Sequence, residues 1–306
     1  MVAFWHWSDF LQHRSIAGGK EPLFINLDET AVPMCSPSAR GMLVSKRWWG
    51  KRGRPCQKLS LKVRRSMVTH VGLCTHRSDV QGRLPQIFIG NEHCFTQEFM
   101  DSISSDFPKK VKFWRRKSSW NNSELMESIL LEIHNVMKEF PNFQPILAMD
   151  AAKIHWAARV VKRAADLNIW LLPVPALCTW LLQPLDTHVF SAYKNYLSNA
   201  FRDSKDQHGK VSVAAWARNL SAVATKYLCG RTWQHSFEAT GIMGDRSKLT
   251  RELRALDVVS ATPTHEDRVV TPSLSVAQLL FPGRSRVPYW HLVYRPNGRK
   301  YRIVVR

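Results

Sequence analysis

Apolar residues fall into two rhythms along this chain. Leu23-Phe24-Ile25-Asn26-Leu27 is a short, nearly continuous apolar run without helical spacing, which predicts a buried strand ending at Asp28. Ser66–Cys74 and Leu84–Ile89 read as further strands, divided by a polar turn around Asp79 and Gly82. The period then changes over 123–138, where Leu125, Met126, Ile129, Ile133, Val136 and Met137 recur at helical spacing. Asn121 and Glu124 stand at capping-box distance before that helix, and Pro141 follows its end. A strand at 145–149 leads into Asp150, followed by a helix over 151–167, a strand at 169–172 and a helix over 187–202.

Three strands followed by alternating helices and strands predict an α/β fold, a mixed five-stranded sheet flanked by helices. Beyond Arg202 the pattern weakens: 211–228 reads as helical, Trp233–Phe237 as a further helical turn, and 262–272 as a polar, proline-containing linker. Asn297-Gly298 between Val287–Tyr294 and Lys300–Val305 is a hairpin signal. The expected division is an N-terminal segment (1–22), the α/β domain (23–203), a helical extension (204–260), and a linker with a terminal β-hairpin (261–306).

Charge adds a partner to this outline. The 306 residues carry 44 Lys and Arg against 24 Asp and Glu, a formal charge of +20, and polyanions are the natural counterpart of such an excess. At 44% hydrophobic residues the chain can bury a core, which excludes general disorder. The six cysteines are scattered without close pairs, unlike a zinc site or a disulfide framework, and read as reduced thiols of an intracellular protein. The most apolar stretch, Ile169–Leu185, is interrupted by Pro173, Pro175 and Pro184, so a soluble protein with no membrane partner is expected.

Two basic clusters and three carboxylates carry the candidate chemistry. Lys46, Arg47, Lys51, Arg52 and Arg54 lie around Trp48 and Trp49, and Lys112, Arg115, Arg116 and Lys117 form the second group. Both suit salt-sensitive contact with phosphates. Asp28 and Asp150 follow apolar strands, and active sites of open α/β sheets lie beyond the carboxyl ends of strands. Asp186 stands at the mouth of a helix. Three carboxylates gathered at one sheet edge repel one another unless divalent cations neutralise them.

These residues resemble a known family, the DDE superfamily of endonucleases in its pogo and Tc1/mariner-like transposase group. Asn26-Leu27-Asp28-Glu29-Thr30 looks like its first motif, and Leu147 through Asp150 to His155 looks like its second. Leu172-Pro173-Val174-Pro175 through Thr179, then Gln183-Pro184-Leu185-Asp186, looks like its third and is the most specific match. Trp120 and the Trp233, Phe237, Gly241 spacing are also similar to family features. The likeness covers roughly 22–242, and departs where Ala151 replaces a polar residue common after the second aspartate.

The resemblance implies an RNase H-like fold and cleavage, with joining, of DNA phosphodiester bonds. Asp28, Asp150 and Asp186 would be the catalytic ligands of two Mg2+ or Mn2+ ions, with Asp28 bridging them. Glu29 and His155 are expected to support those ligands rather than bind metal. The group carries helix-turn-helix modules ahead of its catalytic domain, and the stretch before Asp28 is too short for one. A separate DNA-recognition subunit, a homodimer for end joining and a nuclear or otherwise DNA-associated location follow as expectations. The alternatives are a domesticated, non-catalytic DNA-binding scaffold on the same fold, or cleavage of RNA–DNA hybrid.

Overall fold

The computed structural model describes residues 1–33, 67–103, 107–207, 211–256, 290–294 and 301–305. In chain order, α1 (Val2–Ala17) and β1 (Glu21–Pro33) precede β2 (Met67–Thr75), α2 (Ser78–Gln81), β3 (Gln86–Asn91), α3 (Gln97–Asp101) and β4 (Val111–Arg116). Next come α4 (Ser123–Met137), β5 (Phe143–Met149), α5 (Ala158–Asp166), β6 (Trp170–Pro173) and α6 (Thr179–Leu182). A π-helical turn (Leu185–Val189) runs into α7 (Phe190–Asp203), and α8 (Val213–Val223) runs into a second π-helical turn (Ala224–Cys229). Then follow α9 (Gln234–Ala239), α10 (Arg251–Ala255), β7 (Trp290–Tyr294) and β8 (Tyr301–Val305).

Leu23, Phe24, Ile25 and Leu27 are buried on both faces of β1, and such a strand belongs inside a sheet. It pairs antiparallel with β2 along its length, from Ile25↔Thr75 to Pro33↔Met67. On its other edge it pairs parallel with β5, but only from Glu21↔Phe143 to Asn26↔Ala148. β3 is antiparallel to β2, and β6 is parallel to β5. The resulting order, β4-β3-β2-β1-β5-β6, is a mixed sheet flanked by helices, with the RNase H-like arrangement expected from the sequence.

Among the described residues the sheet has six strands rather than five. The addition is β4, parallel to β3 at the edge, inside the stretch read only as a basic cluster. Alternation explains both readings. Val111 and Phe113 turn toward Phe88, Phe95 and Phe99, while Lys112 and Arg116 face Glu132 and Glu124 of α4. Charged residues on an edge strand are normal, since an edge is half solvated. Two local expectations also shift. The cap of α4 is Asn122, whose side chain accepts from Leu125 N–H, rather than Asn121. Helix α5 starts at Ala158, leaving 151–157 as a turn.

The N-terminal segment is a helix whose Phe4, Trp5, Trp7, Phe10 and Leu11 are buried in the core. It is stapled to residues 240–246. Trp5 Nε1–H donates to Thr240 O (3.2 Å), Ser8 Oγ–H to Ile242 O (2.5 Å), and Arg246 pairs with buried Asp9 (2.8 Å) beneath the Trp5 ring. Of the predicted terminal hairpin, the described residues show β7 paired antiparallel with β8, while the Asn297-Gly298 turn lies outside them. The first basic cluster and the 262–272 linker lie outside the described residues. No described helix is long and apolar enough to cross a membrane.

Removing one partner of a buried ion pair strands the other charge. Arg246→Ala should therefore cost about 3–5 kcal/mol of unfolding free energy, read from a urea titration. A loss below ~1 kcal/mol would show that the staple is dispensable.

Candidate carboxylate site

Two strands deliver the first two carboxylates. Parallel pairing of β1 with β5 stops at Asn26↔Ala148, so Asp28 and Asp150 each stand two residues past the last shared pair. Side chains alternate along strands, so both leave the sheet on the face of Asn26 and Ala148. Asp28 is not at a strand end as expected, because β1 continues to Pro33 against β2. The cleft opens where β5 departs instead, and Asp28 is left almost fully buried, 8% exposed.

The third carboxylate arrives through Asn26, a residue given no role of its own in the sequence reading. Its buried amide donates to Ala148 O (3.1 Å), and its Oδ1 accepts from Leu185 N–H (2.8 Å). This pins the Gln183-Pro184-Leu185-Asp186 turn against the β1–β5 pair. Gly72, the cross-strand partner of Asp28, makes the approach possible. A Cβ at Gly72 would lie 3.0 Å from Phe190 Cε1 and 3.7 Å from Leu185 Cδ2. Absence of a side chain there lets the π-helical turn and α7 lie close to the sheet. Asp186 is exposed on the first residues of that turn.

The charges of Asp186 and Asp150 both reach Asp28. Burial pushes the Asp28 carboxyl well above its ordinary range, and the charges of Asp186, Glu29 and Asp150 push it the same way. The Glu29 N–H bond to Asp28 Oδ1 (2.8 Å) opposes this without overcoming it. Asp150 behaves differently. Burial works to raise it, but His155, through hydrogen bond and charge, and the Ala152 N–H together hold it below the usual carboxylate range.

His155 is the hub of a second arrangement. Buried on the 151–157 turn, it places Nδ1 2.6 Å from Asp150 Oδ1 and Nε2 2.9 Å from Glu29 Oε1. Burial disfavours its cationic form, yet the bonds and charges of Asp150 and Glu29 outweigh burial and raise its pKa to about 10. Glu29 points from the opposite pleat to Asp28, as alternation requires, and also accepts from Asn121 Nδ2 (2.6 Å). Trp156 Nε1–H donates to Asp150 O (2.6 Å), fixing the turn. Asn121, Trp156 and Gly72 carried no functional signal in sequence, because their roles depend on partners far along the chain.

The second basic cluster is split by strand alternation. Lys112 is tied to Glu132 (2.7 Å) and Arg116 lies 3.9 Å from Glu124, whereas Arg115 bonds the neutral Gln97 amide (3.2 Å). Lys117 lies beyond the strand end, on the wall of a surface cavity.

Two outcomes follow. Asp28→Asn should raise the thermal midpoint in EDTA, by about 2–4 °C for each kcal/mol of repulsion removed. A raised carboxyl costs the fold nothing below its unfolded pKa, progressively more between the unfolded and folded values, and its full amount above the folded value. This gain should therefore shrink as the pH falls toward the ordinary carboxylate range. An unchanged midpoint would eliminate repulsion as the cause. Gly72→Val should cost about 1–3 kcal/mol by overpacking Phe190. Phe190→Leu in the same chain should recover part of that loss, and strict additivity of the two would refute the contact.

No protein-family model matches the chain, and no curated protein matches it in sequence. Among solved structures, it is similar to a Mos1 transposase paired-end complex with left transposon end, at 15% identity and TM-score 0.37, over 79% of this chain and 62% of that one. The Mos1 strand transfer complex is matched at 13% identity and TM-score 0.37, over 78% of this chain and 61% of that one. A Mos1 mariner paired end complex with Mn is matched at 14% identity and TM-score 0.37, over 79% and 62%. The chain thus spans about three fifths of the length of these structural neighbours.

Proposed function

We propose that this chain is the catalytic domain of a DDE-type endonuclease or transposase, cleaving and joining DNA phosphodiester bonds with two Mg2+ or Mn2+ ions. The observation that carries the reading is Asp28: a buried carboxylate placed where Asp150 and Asp186 add to its electrostatic cost. A fold gains nothing from such a concentration of like charge unless a cation is to be held there.

The donor chemistry fits that cation. All three groups are carboxylates, the hard oxygen donors preferred by magnesium and manganese. Among the described residues, no three acidic, histidine or cysteine side chains already stand in ligating geometry, so ion binding would have to draw the aspartates together. Asp186 and Asp150 keep the solvent access for that movement, and Asp28 is assigned the shared position between them. When bound, such ions supply an activated water or hydroxyl and neutralise the leaving oxygen. The residues of the chain do the positioning. His155 orients Asp150, Glu29 and Asn121 hold His155, and Asn26 keeps the Asp186 turn in place.

Lys112, Arg115, Arg116 and Lys117, with Lys46, Arg47, Lys51, Arg52 and Arg54, are assigned to DNA phosphates. Since Lys112 is already paired with Glu132, the weight falls on Arg115 and Lys117. A homodimer, a separate DNA-recognition subunit and a nuclear location belong to the same proposal. One observation favours a non-catalytic scaffold instead: Asp150 Oδ1 is already engaged by His155 and the Ala152 N–H, a closed arrangement that competes with a metal ion.

Nicking of supercoiled plasmid separates the two. With Mg2+ or Mn2+ the wild-type chain should nick, and EDTA or Asp150→Asn should reduce nicking at least 100-fold. Salt-sensitive plasmid binding that is indifferent to EDTA, with no nicking under any metal, would establish the scaffold and end the catalytic reading.

A further inference from the structure

Beyond the carboxylates, one surface cavity of about 470 Å³ combines an aromatic face with uncancelled positive charge. Arg115, Arg116 and Lys117 line one part of it, and Ser118, Trp120 and Asn122 another. Trp120 is 81% exposed, while Trp5, Trp156 and Trp216 are buried. An indole left in water forgoes the burial that makes tryptophan useful to a fold.

The loop that presents Trp120 is held at several points. Ser119 Oγ accepts from Asn91 N–H (3.0 Å), the Trp120 N–H donates to Ser118 Oγ (3.3 Å), and Asn122 caps α4 through Leu125 N–H (2.9 Å). Asn121 in the same loop donates to Glu29 Oε1 (2.6 Å), so the cavity and the carboxylate cleft are joined through one short segment. The exposed ring therefore sits on a prearranged mount.

We propose that this cavity receives an unpaired nucleotide of the DNA strand being processed, its base stacked on Trp120 and its phosphate on Arg115 and Lys117. Three features fix that class of ligand. An indole face can take a base only after the base has left the duplex stack, whereas a paired duplex offers phosphates and sugars to such a surface. Arg115 bonds the neutral Gln97 and keeps its charge, and the 15-residue helix α4 adds the positive end of its dipole beside Asn122. Glu92 and the Glu124 partner of Arg116 subtract from this field, which leaves Arg115 and Lys117 to hold the phosphate. The volume lies within the range of small-ligand pockets, about 300–1,000 Å³. The origin of the nucleotide rests on the DNA-processing reading above, but its binding does not require catalysis.

The test is fluorescence anisotropy of the full chain in EDTA, with a labelled single-stranded oligodeoxynucleotide and the fully paired two-stranded duplex of the same length, which has no loop. Trp120→Ala should weaken single-strand binding roughly 5- to 150-fold, the effect of losing one base–aromatic stack, and leave duplex binding unchanged. Trp120→Phe should retain most of the affinity, and Arg115→Gln with Lys117→Gln should flatten the salt dependence. Unchanged single-strand binding by Trp120→Ala would overturn the proposal. So would equal weakening on both ligands, or loss of a dimer by sedimentation without loss of single-strand affinity. Trp120-dependent single-strand binding in a chain that never nicks would keep the pocket and reject the nuclease, while nicking without Trp120 dependence would do the reverse.

Discussion

One buried amide ties the cleft together. Asn26 occupies the last position at which β1 and β5 pair, and its side chain reaches Ala148 on one neighbour and Leu185 on an element far along the chain. Three segments distant in sequence thereby share a single hydrogen-bonding group with no solvent to replace it. A buried amide without such partners would cost several kcal/mol, so the arrangement is held by the penalty for breaking it. The positions of Asp28, Asp150 and Asp186 are consequences of that junction.

The site also divides its charge unequally. Asp28 is buried among like charges, whereas Asp150 is compensated by a histidine held cationic by two carboxylates. His155 works as an internal counterion: it absorbs part of the repulsion that the fold would otherwise bear, and through Glu29 it passes the restraint to the opposite pleat of β1. The cost of collecting carboxylates is thus moderated on one side of the cleft and left standing on the other.

Much of this was legible in the sequence, and the reasons for success and failure are physical. The apolar runs before Asp28 and Asp150 are buried strands because nothing else gives continuous burial over so few residues, and the helical spacing of Leu125 to Met137 gave α4 nearly to the residue. Helix α1 escaped because its aromatic residues point in several directions, leaving no polar face to set the period. Strand β4 escaped because an edge tolerates Lys112 and Arg116 at positions that a central strand would keep apolar. Asp186 could be recognised from its motif, but the contacts that bring it to the cleft, Asn26 to Leu185 and Gly72 beneath Phe190, are long-range and leave no local pattern.

The π-helical turn from Leu185 to Val189 has a consequence of its own. Each of its backbone bonds spans one residue more than an α-helical bond, as in Phe190 N–H to Leu185 O. Phe190 is fixed at one end by Gly72 and Leu185 at the other by Asn26, so the number of residues between them acts as a ruler. Deleting one would relax the turn to α-helical register and rotate whatever lay on one side of the deletion by about 100°, carrying either the Asp186 carboxylate or the Phe190 ring off its mark. Length here is therefore as restrictive as identity, and natural variants of this segment should differ by substitution and never by insertion or deletion.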